Sequence, residues 1–169
     1  MKNYGRDDIE QILNKYADTI YRVAYLQMKR RDQADDIFQE VCLKIMNSTK
    51  QFESEEHLKA WLIRITVNCC KNFWNSAWWK KVTVDSERVK NLQEDLAENP
   101  GQEEFVTDFV RQLPEKYRIV IHLYYYEDYS QKEIAEMLQI RENTVSSRLH
   151  RGRERLKEML MKGGLNYEF

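Results

Sequence analysis

The side chains able to act as nucleophiles or soft metal ligands are few. Three cysteines (Cys42, Cys69, Cys70) and three histidines (His57, His122, His150) are the only thiols and imidazoles in 169 residues. No C-x-x-C pair occurs, so neither a zinc knuckle nor a disulfide framework is indicated. Cys69 and Cys70 are chain neighbours, and adjacent cysteines rarely bond each other. Reduced thiols in a cytosolic protein are the simpler reading. A Cys–His nucleophile built from these residues has no spacing behind it, and the helical pattern around Cys69 and Cys70 explains them as core. An enzyme, a resident metal and a cofactor are therefore not expected.

Recognition chemistry is richer, and it comes in three sets. The first is Arg141, Asn143, Thr144, Ser146, Ser147, Arg148, Arg151 and Arg153. Arginine pairs with guanine through two hydrogen bonds and asparagine with adenine, while other basic side chains hold phosphates and set register. From Arg141 to Lys162 seven bases stand against three acids, a net of +4. The second set surrounds the four tryptophans, all between Trp61 and Trp79. At ~100° per residue, Arg64, Asn68, Lys71, Asn72, Asn75, Trp78 and Trp79 share one helix face, opposite Leu62, Ile65, Cys69 and Phe73. Aromatic rings stack on unpaired bases at ~1–3 kcal/mol each, and amides read their edges. Trp61 borders the apolar stripe and reads as core. The third set is acidic: Asp35, Asp36, Gln39 and Glu40, with no Lys or Arg between Asp32 and Lys44. It suits docking of a basic protein partner.

The elements that must carry these sets are helices. Charged residues make up 33%, hydrophobic residues 42%, and there are only five Gly and two Pro. That composition favours helices with short connections and a real core. Residues 8–29 carry a helical stripe from Ile9 to Leu26. Asp32 reads as the N-cap of a second helix, with Ile37, Phe38, Val41, Ile45 and Met46 inward. Ser54 caps a third helix, running from about Glu56 to Trp78. Residues 80–104 read as a flexible linker with a weak helix around Arg88–Leu96. Asp85–Asp108 holds eight acids against two bases, a net of −6.

A second helical unit then begins at Phe105. Pro114 fits the first turn of a strongly apolar helix through Tyr125. Ser130-Gln131-Lys132-Glu133 is a complete capping box. It opens a short helix with Ile134, Ala135 and Leu138 inward, and Ala135 is small where another helix must cross. After the turn Gln139-Ile140-Arg141, with Ile140 tucked into the core, a longer helix turns Val145, Leu149, Leu156 and Leu160 inward. Helix, short turn, helix is the helix-turn-helix layout, in which the second helix enters the major groove. Arg141 stands where Ser or Thr would cap that helix, which forfeits ~1 kcal/mol; contact with DNA explains its presence. The expected fold is all-α: two small helical domains, 1–79 and 105–169, joined by an acidic linker, 80–104. The N-terminal residues carry no apolar signal-peptide core, and no run of ~18 apolar residues occurs, so neither secretion nor membrane insertion is expected.

The combination resembles the bacterial extracytoplasmic-function (ECF) sigma factors, specificity subunits of RNA polymerase, over roughly Asp8 to Leu160. Asp32-Gln33-Ala34-Asp35-Asp36-Ile37-Phe38-Gln39-Glu40-Val41 is similar to the family's polymerase-binding segment. Lys59-Ala60-Trp61-Leu62-Ile63-Arg64-Ile65-Thr66-Val67-Asn68 is similar to its promoter-melting segment. Leu113-Pro114-Glu115-Lys116-Tyr117-Arg118 and Tyr129-Ser130-Gln131-Lys132-Glu133-Ile134-Ala135 resemble the opening of its second domain. Asn143 to Arg153 resembles its reader of the −35 element.

The resemblance implies that Asp35, Asp36, Gln39 and Glu40 dock on the clamp of core RNA polymerase. It implies that Arg64, Asn68, Lys71, Asn72, Asn75, Trp78 and Trp79 trap unpaired −10 bases, with the set from Arg141 to Arg153 on −35 duplex. The linker would thread the polymerase channel. It also implies an anti-sigma factor partner, able to hold a cytoplasmic protein at the membrane, and no small-molecule substrate. Departures from the family pattern are Cys42 for a common aromatic, Asn72 for a common Asp, Lys80-Lys81 displaced behind two Trp, and Gln139 for the usual turn Gly. The other class to weigh is a stand-alone helix-turn-helix regulator, which has no need for the acidic set or the Trp-rich face. The overall charge of −1 and pI of 6.3 would argue against a generic polyanion binder. Charge resolved along the chain reverses that: +4 over Arg64–Val84, −6 over Asp85–Asp108 and +4 over Arg141–Lys162. The acidic parts oppose unaided DNA binding, so weak promoter affinity is expected without core enzyme.

Overall fold

A computed structural model describes residues 6–28, 30–81 and 102–163. All its elements are helical, and the chain divides into two compact units, Met1–Ser86 and Glu87–Phe169. In the first unit, α1 (Arg6–Gln27), α2 (Arg31–Asn47) and α3 (Glu55–Lys81) pack pairwise. Their apolar stripes meet in a core of Ile20, Ala24, Ala34, Ile37, Val41, Ile45, Leu62 and Cys69. Burying one such aliphatic side chain is worth about 1.5–3 kcal/mol, so it is the stripes, more than propensity, that hold the helices. The Trp74 indole N–H donates to the Gln27 carbonyl at 3.2 Å, closing the end of α1 from α3.

Two expectations for α2 need correction. The helix starts at Arg31, so Arg30, extended at φ −127° and ψ 147°, occupies the N-cap and offers no side-chain cap. Asp32 therefore lies in the first turn, where its carboxylate accepts from Arg30 Nε at 3.0 Å and favours the positive helix end. Met46 is 58% exposed, because one step of ~100° beyond buried Ile45 carries it off the stripe. Ser54 does cap α3: its hydroxyl accepts the His57 N–H at 3.1 Å. α3 continues past Trp78 to Lys81, into the span expected as linker. Residues 82–101, with the expected weak helix at 88–96, lie outside the described residues.

The second unit holds α4 (Gln102–Gln112), α5 (Glu115–Ile121), a π-helical turn (His122–Tyr126), α6 (Gln131–Leu138) and α7 (Glu142–Lys162). Pro114 sits at the N-cap of α5 rather than inside its first turn, and its carbonyl accepts from the N–H groups of Tyr117 and Arg118, both at 3.0 Å. The apolar run through Tyr125 is not one α-helix. It widens at His122, where Nε2 lies 3.3 Å from the buried Glu127 carboxylate. Arg118 is 2% exposed, and its Nη1 donates to the carbonyl of Arg111 at 3.0 Å, satisfying the end of α4. Val120, Leu123, Ile134, Leu138, Val145, Leu149, Leu156 and Leu160 are buried. Among the described residues no helix is long and apolar enough to cross a membrane.

Candidate nucleic-acid interface

α6, its turn and α7 form the helix-turn-helix. Both halves of the capping box are made: Glu133 N–H donates to Ser130 Oγ at 3.2 Å, and Ser130 N–H donates to Glu133 Oε2 at 2.7 Å. Ile134, Ala135 and Leu138 are buried, as their spacing requires. Gln139 takes the left-handed conformation (φ 55°, ψ 46°) that Gly would adopt without strain. The Ala135 carbonyl accepts from Gln139 N–H and, at 3.1 Å, from Ile140 N–H, and that closes the turn. Ile140 is half-buried, not fully inside. Arg141 occupies the N-cap of α7 with no side-chain cap bond and is exposed, as its residue type dictates.

α7 buries Val145, Leu149, Gly152, Leu156 and Leu160. Asn143, Ser146, Ser147 and Arg151 are exposed, and Thr144 and Arg148 half-buried. Arg153 is set apart. It lies about 160° around the axis from Arg151 at ~100° per residue, half-buried, its Nη1 donating to Tyr125 Oη at 3.1 Å. The structure thus gathers Asn143, Thr144, Ser147, Arg148 and Arg151 on one side and leaves Arg153 on the other, with Ser146 about 20° from it.

Gly152 and Tyr117 carried no role in the sequence reading. A Cβ at Gly152 would stand 3.1 Å from Ile121 Cγ1 and 3.3 Å from Tyr117 Cβ, so this Gly lets α7 lie against α5. A lone glycine inside a helix otherwise free of breakers was the available signal. Tyr117 is 4% exposed, with Lys116 Nζ and Arg155 Cζ each 5.0 Å from its ring centroid. Burial pushes its phenol up, but Arg151 and Lys116 at the hydroxyl, with Arg155 near, outweigh that and hold it below the ordinary value.

On α3, Asn68, Asn72 and Asn75 form an exposed column, with Arg64 and Lys71 half-buried beside it. Leu62, Cys69 and Cys70 are buried on the other side, where Ile65 and Phe73 pack half-buried. The side chains of Trp78 and Trp79 lie outside the described residues. Trp61 packs on the core, its ring centroid 5.0 Å from that of Phe52, in line with its place beside the stripe. Burial pushes the Cys69 thiol up to about 11, so it is a thiol at neutral pH and no nucleophile.

On α2, Asp35, Asp36, Gln39 and Glu40 are all exposed. Burial and the Asp35 carboxylate together raise the Tyr21 phenol, which places Asp35 against α1 at the edge of this face. Leu43 and Met46, each 58% exposed, follow Asp36 and Gln39 at seven-residue spacing and extend the face with apolar surface. Met46 reads as core in the sequence because it follows Ile45 of the buried stripe, and Leu43 carries no assignment there.

Comparison with known proteins agrees with this arrangement. Residues 12–80 match the Sigma-70 region 2 family and residues 106–156 the Sigma-70 region 4 family. ECF RNA polymerase sigma factor SigW of Bacillus subtilis is 30% identical over 95% of this chain and 92% of its own. ECF RNA polymerase sigma factor SigM of the same organism is 25% identical over 92% of this chain and 96% of its own. Among solved structures, the sigma factor RpoE of Bartonella quintana, in complex with the anti-sigma factor NepR, shares the fold with a TM-score of 0.70 and 22% identity, over 91% of this chain and 97% of that one. CnrH, in complex with the cytosolic domain of CnrY, gives 0.66 and 20%, over 94% of this chain and 90% of that one. An all-α chain with a helix-turn-helix in its second unit, matched over nearly its whole length, belongs to the ECF RNA polymerase sigma factors.

Proposed function

We propose that this sigma factor binds core RNA polymerase through α2, reads −35 duplex with α7 and captures unpaired −10 bases on α3, assisting promoter melting. The observation that carries this reading is the exposed Asn68–Asn72–Asn75 column on a chain that also holds a complete helix-turn-helix. A regulator that reads only duplex has no use for three exposed amides and flanking cations on a second unit. Extruding a base costs a few kcal/mol, which amide contacts and ring stacking offset. Asp35, Asp36, Gln39 and Glu40 supply the face for a basic element of polymerase. The chain serves as a specificity subunit; polymerase makes the phosphodiester bonds.

An anti-sigma factor is the natural antagonist, since RpoE and CnrH are each seen with such a partner or with a cytosolic domain. It would cover the α2 and α7 faces in the cytoplasm, and a membrane anchor on it would hold both proteins at the membrane. The deciding experiment is run-off transcription with core polymerase over a promoter library. Promoter-dependent RNA that requires this chain is the expected result. Tight promoter-specific binding by the free protein, with no RNA on adding core enzyme, would overturn it.

A further inference from the structure

Of the chain's six methionines and three cysteines, the described residues bury Met28, Cys69 and Cys70 and half-bury Met137, Met159 and Cys42. Two thioethers among them are exposed, Met46 on α2 and Met161 on α7. Their surroundings differ. At ~100° per residue, Met46 stands within about 20° of both Asp35 and Gln39, in line with the acidic face, and exposed Leu43 lies beside it. An aliphatic pair left in water at the end of that face adds nothing to the core beneath. The thiols nearby are poor reductants at neutral pH. Burial pushes the Cys42 thiol up, and Cys69 is buried with its thiol pushed up to about 11, so thiolate is scarce at both. A thioether keeps its lone pairs at every pH, so exposure governs its reactivity, and Met46 is the open sulfur on this face.

We infer that Met46 is a reversible oxidation site, at which a hydroperoxide weakens docking of core RNA polymerase on α2. The inference rests on the reading of α2 as the docking helix and adds a control over it. A sulfur lone pair attacks one peroxide oxygen, and the S–O bond forms as the O–O bond breaks. Sulfur gives up two electrons, and the departing hydroxide takes the proton of the S–OH group and leaves as water. The product is methionine sulfoxide, polar where an apolar side chain stood. Its oxygen accepts hydrogen bonds, and covering it with a partner that offers no donor is unfavourable. Lys44 of the same helix lies about 160° around the axis and pairs with Glu40 at 3.8 Å, so it supplies no donor here. Methionine sulfoxide reductases return the thioether, which makes the change a switch rather than a lesion.

The test treats the full chain with hydrogen peroxide, maps the added oxygen by mass spectrometry and titrates labelled protein with core polymerase. Each variant is compared with its own untreated form. Wild type and Met161→Leu are expected to lose affinity severalfold on treatment, and Met46→Leu to lose none. The thermal midpoint should hold, because the side chain is exposed. Methionine sulfoxide reductase with its reductant should restore binding, and dithiothreitol alone should not. Recovery with dithiothreitol alone would assign the effect to a cysteine and overturn the inference. Equal loss in Met46→Leu, a midpoint that falls with affinity, or Met46 left unoxidised at a dose that converts Met161 would do the same. So would unchanged affinity in wild type that carries the oxygen on Met46. Untreated Asp36→Lys then tells the two readings apart. Weaker core binding by that variant keeps docking on α2 and confines the failure to the oxidation step; binding as tight as wild type removes both.

Discussion

Gly152 and Ile121 meet where α7 crosses α5: a Cβ on Gly152 would lie 3.1 Å from Ile121 Cγ1. Tyr117 Cβ, 3.3 Å away, cannot rotate aside because it is fixed to its backbone. Gly152→Ala gains up to about 1 kcal/mol of helix propensity and incurs overpacking of about 1–3 kcal/mol. A net loss of about 1 kcal/mol is expected, measured as a lower urea midpoint with unchanged slope. A gain in stability would mean that α5 yields freely.

Arg141→Ser separates folding from binding. Serine at this N-cap can accept an N–H of the first turn, a gain of about 1 kcal/mol. The same change removes an exposed cation from the entry of the recognition helix. The variant should melt higher yet bind promoter more weakly as holoenzyme, with a shallower salt dependence. Unchanged affinity and salt slope would remove Arg141 from the interface.

Leu43 and Met46 extend the acidic face of α2 with apolar surface. Leu43→Glu and Met46→Glu leave the core untouched, so the thermal midpoint should hold while affinity for core polymerase falls tenfold or more, on the order of 1.4 kcal/mol. Equal affinity in a titration of labelled protein with core enzyme would confine docking to the carboxylates.

Asn72 is the central amide of the exposed α3 column. Asn72→Ala should reduce open-complex formation severalfold on cognate promoters and leave core binding intact, read by permanganate footprinting beside a core-binding assay. Full transcription on every promoter would exclude it from base capture.

Cys69 provides a pH signature. Its folded thiol is raised by burial from 9.0 to about 11. A raised acid favours folding fully below the unfolded value and loses that contribution as pH climbs through the folded one. Stability should therefore fall between pH 9 and pH 11, by up to about 2–3 kcal/mol for this group. Cys69→Ala should flatten that part of the curve. At neutral pH the native thiol should resist iodoacetamide and react on unfolding; rapid native alkylation would contradict the burial.

Periodicity and caps were legible wherever one short-range interaction decided the outcome. The Ser54 cap, the Ser130–Glu133 box and the inward residues of α6 and α7 follow from spacing alone, because capping acts within four residues and a helix stripe repeats every turn. The acidic set on α2 and the amide column on α3 were visible for the same reason. Boundaries were less legible. Asp32 looked like a cap, but the cap is Arg30 and the helix begins two residues earlier than a cap at Asp32 requires, and nothing local distinguishes a first-turn acid from a capping one.

The sequence by itself determined that the chain is helical, that a helix-turn-helix closes it, and which faces carry which charge. Tertiary structure alone decided the rest. It widened α5 into a π-helical turn around the buried His122–Glu127 pair. It tied Arg153 to Tyr125 and set Tyr117 among cations from α5 and α7. The Arg153–Tyr125 bond and the Arg155–Tyr117 contact each depend on a second helix arriving from elsewhere in the chain. Residue spacing encodes the angle around one helix axis, but not which neighbour will stand there.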